Sequence, residues 1–167
     1  MPYAIVAAVL VALDQLVKYL VVLNIQPGEH VPFLPHILEL TYVENTGAAF
    51  ALFSEHTWLL ALVSLAMSVL LAVAIWKNFF RHPLGKLTLA LLLGGAVGNL
   101  IDRVFRGFVV DMFNVLFMDF AVFNVADICV VVGGISAGLY YLLLQDRLEG
   151  KRDKPKEAPH GGTEADR

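Results

Sequence analysis

The chain has 167 residues, 58% apolar and 16% charged, with a formal net charge of −3. A soluble domain carries about a quarter charged residues, whereas here 12 of the 27 lie in residues 145–167, leaving the body almost bare. That distribution excludes a soluble globular enzyme, a disordered chain and a nucleic-acid binder, which would need a basic patch. The single cysteine excludes a disulfide framework or a cysteine-built zinc site.

Four stretches reach the roughly 20 apolar residues that cross a bilayer: 4–23, 57–76, 84–105 and 122–144. The first lacks a basic leader and is interrupted by Asp14, Gln15 and Lys18, so it reads as a retained helix rather than a cleaved signal. Between the first two, residues 24–56 contain no Lys or Arg. Within them Leu38, Leu40 and Tyr42 alternate with Glu39, Thr41 and Val43, the period of a strand. Asn45-Thr46-Gly47 breaks that strand, and Ala48, Ala49 and Phe50 open a small apolar stretch, 48–53, expected to form a short interfacial helix. The second helix has no ionisable group, and the loop after it carries Lys77 and Arg81. By the positive-inside rule both termini and this loop face the cytoplasm, so segments 24–56 and 106–121 face outward. The apolar 106–121 segment is expected to dip towards the bilayer or to pack on the strand. The expected class is thus an all-α membrane protein with a small extracytoplasmic β region. Its organisation is a membrane domain, 1–144, and a charged, disordered tail, 145–167.

Charged groups are costly in lipid, so those within the spans are functional candidates. Asp102 and Arg103 lie near the outer end of the third helix, and Asn124 and Asp127 at the outer start of the fourth. Asp14 and Lys18, spaced i, i+4, either form a neutralised pair stabilising the bundle or line a site. The polar groups therefore gather at one face, which favours chemistry there over transport across. Gly95, Asn99, Asp102 and Arg103 share one helical stripe, and Gly94/Gly98 and Gly134/Gly138 each form a G-x-x-x-G pattern expected to serve helix packing. Two carboxylates meeting without a cation share a proton, so Asp111 and Asp127 could act as base and acid. Equally, Asp127 could hydrogen-bond Asn124 and cap the fourth helix, with Asp111 solvated. The five histidines show no metal-ligand spacing, the serines have no adjacent base, and Cys129 reads as a small hydrophobe. No metal or cofactor is expected.

Five blocks in order, Leu13-Asp14-Gln15 with Lys18, Asn45-Thr46-Gly47-Ala48-Ala49-Phe50, Gly94 to Arg103 (GGAVGNLIDR), Val109-Val110-Asp111 and Phe123-Asn124-Val125-Ala126-Asp127, resemble the signature of bacterial lipoprotein signal peptidase (signal peptidase II). The resemblance covers residues 10–145. It implies an aspartic endopeptidase of the cytoplasmic membrane that removes signal peptides from diacylglyceryl-modified prolipoproteins on the amino side of the lipidated cysteine. On it, the catalytic dyad falls on Asp111 and Asp127. The substrate-lining positions fall on Asp14, Asn45, Asn99, Arg103 and Asn124, with Lys18 and Asp102 supporting the scaffold. Met112 stands where the family often has Phe, a conservative packing change. The implied partners are lipidated prolipoproteins and membrane lipid, with the protein acting as a monomer and its site open to the extracytoplasmic side; segment 48–53 would be a lid. The rival readings are a small carrier or channel using Asp14, Lys18 and Asp127 as a proton or ion relay, and a non-catalytic anchoring protein. A presenilin-type protease would carry a Gly-x-Gly-Asp block, which is absent.

Overall fold

The computed structural model describes residues 2–47 and 56–148. The expected lid (48–53) and all but the start of the charged tail lie outside the described residues. In chain order the elements are α1 (Pro2–Asn24), β1 (His30–Leu34), β2 (Leu38–Asn45), α2 (Thr57–Trp76), α3 (Pro83–Phe105), β3 (Val109–Val115) and α4 (Val125–Leu139), then a π-helical turn (Tyr140–Leu144) running into α5 (Gln145–Leu148). Among the described residues, four helical stretches, the last being α4 with its π-helical turn, are long and apolar enough to cross a membrane. The fourth helix begins three residues later than its apolar run, because Phe123 bridges back to Phe113 and Asn124 is the helix cap. Residues 145–148 continue the helix instead of opening the tail.

α3 is the central helix and packs on α1, α2 and α4. Its glycines make this possible. A methyl group at Gly94 would lie 2.9 Å from Leu10 Cβ, and one at Gly98 would lie 2.7 Å from Asp14 Oδ2, so this pair admits α1. Gly95 faces the other way and admits α4, where a Cβ would collide with the Ala126 carbonyl oxygen and lie 2.7 Å from Val130 Cγ2. The second G-x-x-x-G pattern does not pack as expected. Gly134 and Gly138 have nothing within 4 Å of an added Cβ, and it is Gly133 that meets α3, at Leu91 and Leu92. Helical spacing alone cannot choose between adjacent stripes that both carry glycine. Gly134→Ala and Gly138→Ala are therefore expected to raise stability, each by up to about 1 kcal/mol from helix propensity, whereas Gly95→Ala should lower it by forcing α3 and α4 apart. Melting temperatures of the three variants in one detergent check the contrast.

The three strands form one antiparallel sheet in the order β1-β2-β3. Its inner face rests on the end of α1 through Val21, Ile25, Tyr42, Val110 and the fully buried Met112. The 106–121 segment thus packs on the strand, the second of its two expected placements, by becoming a strand itself. Gly107, at φ +80°, makes the left-handed turn that sends the chain from α3 into β3. A bulge in β2 between Leu40 and Val43 gives it one residue more than β3 over that stretch. Such bulges re-aim side chains beside functional sites. Beyond it Asn45 pairs with Val109, and its amide reaches Asp111. At the opposite end of the bundle, Phe80 and Tyr140 stack edge to face at 4.9 Å over Gly85 and close the core with Leu71 and Leu89.

Candidate active site

The site is assembled around one lysine. Lys18, with no exposed side-chain surface, places its Nζ 2.9 Å from Asp14 Oδ2, 2.9 Å from Asp102 Oδ2 and 3.0 Å from Asn99 Oδ1. A buried ammonium needs that much compensation, since removing a charge from water costs several kcal/mol. Both carboxylates then reach onward. Asp14 Oδ1 accepts from the Ala126 backbone N–H at 2.9 Å, in the first turn of α4, where helix N–H groups lack internal partners. Asp102 Oδ2 accepts from the Val110 N–H at 3.2 Å, which ties β3 to α3. Thus Asp14 anchors the element carrying Asp127, and Asp102 anchors the strand carrying Asp111.

Asp14, grouped from the sequence with the substrate-lining residues, is not among the residues that line the cavity and sits in this cluster, paired with Lys18. Gln15 is the residue that sequence reasoning passed over. Its Nε2 donates to the Gly98 carbonyl at 3.1 Å and lies 3.2 Å from both Asp14 Oδ2 and Asp102 Oδ1. The signal was its place between two charged residues on a span, but its partners come from another helix and no spacing reveals them.

Asp111 and Asp127 line one cavity of about 430 Å³, together with Asn45, Asn99 and Arg103. Two buried amides connect them. Asn124 Nδ2 donates to Asp111 Oδ1 at 2.6 Å and to Asn99 Oδ1 at 3.1 Å, while Asn99 Nδ2 donates to Asp127 Oδ1 at 2.8 Å. Asn45 Nδ2 supplies Asp111 Oδ2 at 2.8 Å. Asp127 also caps α4: the Asn124 side chain accepts from Asp127 N–H at 2.9 Å, and Asp127 Oδ2 accepts from Asn124 N–H at 3.2 Å. The capping and site readings of Asp127 are therefore compatible, because one oxygen serves the helix, the other accepts from Asn99, and the residue lines the cavity. Asp111 is not solvated. It is only 2% exposed, and burial, with the Asp127 charge adding to it, pushes its carboxyl up to about 6 against the hydrogen bonds from Asn45 and Asn124.

Arg103 reaches across from α3 to the Gly47 carbonyl, 3.3 Å from one terminal nitrogen. Its Nε is buried and has no hydrogen-bond partner among the described residues. The rest of the cavity wall is apolar, with Phe120, Val122, Phe123, Ile128 and Val131 among its residues.

The profile of the family described as signal peptidase (SPase) II matches residues 6–143. The chain belongs to the signal peptidase II family. It is 42% identical over 141 residues to the lipoprotein signal peptidase of Enterococcus faecalis, a match spanning 84% of this chain and 88% of that one. It is 36% identical over 152 residues to that of Brevibacillus brevis, spanning 91% and 99%. A solved bacterial membrane enzyme, determined by the in meso method at 2.3 Å resolution, superposes with a TM-score of 0.80 at 29% identity, covering 92% of this chain and 93% of that one. A second, at 1.9 Å, gives a TM-score of 0.78 at 28% identity. This signal peptidase II is accordingly a multi-pass bacterial membrane peptidase.

Proposed function

We propose that this peptidase is an aspartic endopeptidase that cleaves diacylglyceryl-modified prolipoproteins on the amino side of the lipidated cysteine, with Asp111 and Asp127 as its dyad. The observation that carries this reading is that both carboxylates open into one cavity whose remaining wall is largely apolar. Two carboxylates on one cavity that feel each other's charge do not ionise independently, so the active form of the pair holds one proton and the pair titrates with macroscopic values belonging to both. The ionised member takes a proton from water as it attacks the scissile carbonyl, and the protonated member donates to the departing amine.

Among the described residues Arg103 Nε–H has no acceptor, and its side chain lines the cavity, which supports a role for Arg103 as a donor to a substrate carbonyl. The apolar wall suits acyl chains, so a substrate already confined to the bilayer arrives with its peptide bond at the depth of the dyad, an advantage of proximity. The distribution of Lys and Arg among the loops supports cytoplasmic termini and a site at the outer face of the membrane.

The test is cleavage of a purified lipidated prolipoprotein by the protein in nanodiscs, with the product mapped by mass spectrometry. One new amino terminus at the lipidated cysteine is expected, with no cleavage when that cysteine is replaced by serine. Equal cleavage of the unlipidated substrate, or none of the lipidated one, would sink the reading.

A further inference from the structure

The amides of Asn99 and Asn124 can each be turned either way, and turning one exchanges a donor for an acceptor. In both, the orientation is imposed from behind. A backbone N–H, which can only donate, holds the oxygen of Asn124. At Asn99 the oxygen is held by two donors, Asn124 Nδ2 at 3.1 Å and, at 3.0 Å, Lys18, whose ammonium carries three donors and no acceptor. Lys18 does not touch the cavity, yet its bond leaves Asn99 one possible face to show Asp127, the NH₂.

We propose that Lys18 is a positioning residue for the peptidase reaction: by fixing, together with Asn124, the polarity of the Asn99 amide it keeps a donor on Asp127 and so favours loss of the first proton from the pair, the form that activates water. The proposal rests on the dyad reading above and adds to it what sets the acid limb of the pair. The other charged or titratable groups around this point are Asp14 on α1, Asp102 and Arg103 on α3, Asp111 on β3 and Cys129 on α4. Glu44 of β2 is held by the Tyr42 hydroxyl at 2.7 Å, and α2 has no ionisable group.

The experiment is the pH profile of kcat/KM for a lipidated peptide in nanodiscs, comparing wild type with Lys18→Gln/Asp14→Asn. That pair of changes removes one charge of each sign, leaves Asp102 its Arg106 partner, and replaces an obligatory donor by an amide that can present either face. With only the Asn124 donor left on its oxygen, Asn99 is held less firmly and presents its oxygen to Asp127 in part of the population. The acid limb is then expected to move up by about one pH unit, with kcat at neutral pH down about tenfold and KM little changed. A merely structural lysine would lower the amount of active enzyme and leave the limb where it was; that result overturns the proposal.

If the paired variant does not fold, Asn99→Asp decides. It keeps an acceptor for Lys18 but turns an oxygen towards Asp127, so the same upward move is expected, and an unmoved limb overturns the proposal. Failure of the underlying reading is distinguishable, because it would show as retained cleavage in Asp111→Asn or Asp127→Asn. An unmoved limb beside two inactive dyad variants refutes the role of Lys18 alone.

Discussion

Asp111→Asn is expected to abolish cleavage and yet to be more stable than wild type at pH 7. The loss of activity follows from the chemistry: an amide can neither take nor return the proton that the pair must pass, and losses of several orders of magnitude accompany removal of such a group. The gain in stability follows from linkage. The folded-state value of Asp111 is raised, from 3.8 to about 6, so the folded protein binds the proton more tightly than the unfolded chain does. Its contribution is therefore most favourable below pH 4, and stability falls as pH rises from about 4 through about 6. Above that window the ionised carboxylate costs up to about 3 kcal/mol, at 1.36 kcal/mol per unit. An uncharged Asn avoids this cost while still accepting one of the two hydrogen bonds. Thermal melts of both proteins between pH 4 and 8 should show the variant ahead at pH 7 and the gap closing towards pH 4. A gap that widens on acidification would show that the carboxylate is not destabilised where it sits.

Lys18→Met is expected to do the reverse and destabilise the protein by about 3–5 kcal/mol, the usual result of deleting one partner of a buried ion pair. Asp14 would keep only the Ala126 N–H and Gln15, and Asp102 only Val110 N–H, Gln15 and a more distant Arg106 at 3.5 Å. Two carboxylates, 1% and 0% exposed, would then share no ammonium. The loss should appear as a large drop in melting temperature, and it should shrink when Asp14→Asn is added. Equal stability of Lys18→Met and wild type would mean that these carboxylates are protonated in the bundle.

The four long helices could be read from the sequence because a bilayer demands length and apolarity, both local properties. β2 could be read because its outer residues alternate with inner ones. β3 could not, since Val109, Val110, Asp111 and Met112 are all buried and no alternation survives burial on both faces. β1 contains Pro32, tolerated because β1 is an edge strand, and its five residues give no periodic signal. At the site, the Asp14–Lys18 pair was visible in its i, i+4 spacing. Its continuation to Asp102 and Asn99 was not, because those contacts cross between helices distant in sequence. The glycines show the same limit: Gly94 and Gly98 pack as their spacing suggests, whereas Gly134 and Gly138 have the same spacing and meet nothing.

The ties radiating from Lys18 also bear on biogenesis. The first helix is made with one counter-ion of Lys18, Asp14, already beside it, whereas Asp102 on the third helix and the fourth-helix N–H that holds Asp14 have yet to be synthesised. The cavity lined by Asp111 and Asp127 cannot take shape until translation has passed Asp127 and the late segments close around the early one. On the dyad reading, proteolytic competence therefore arrives only with completed assembly.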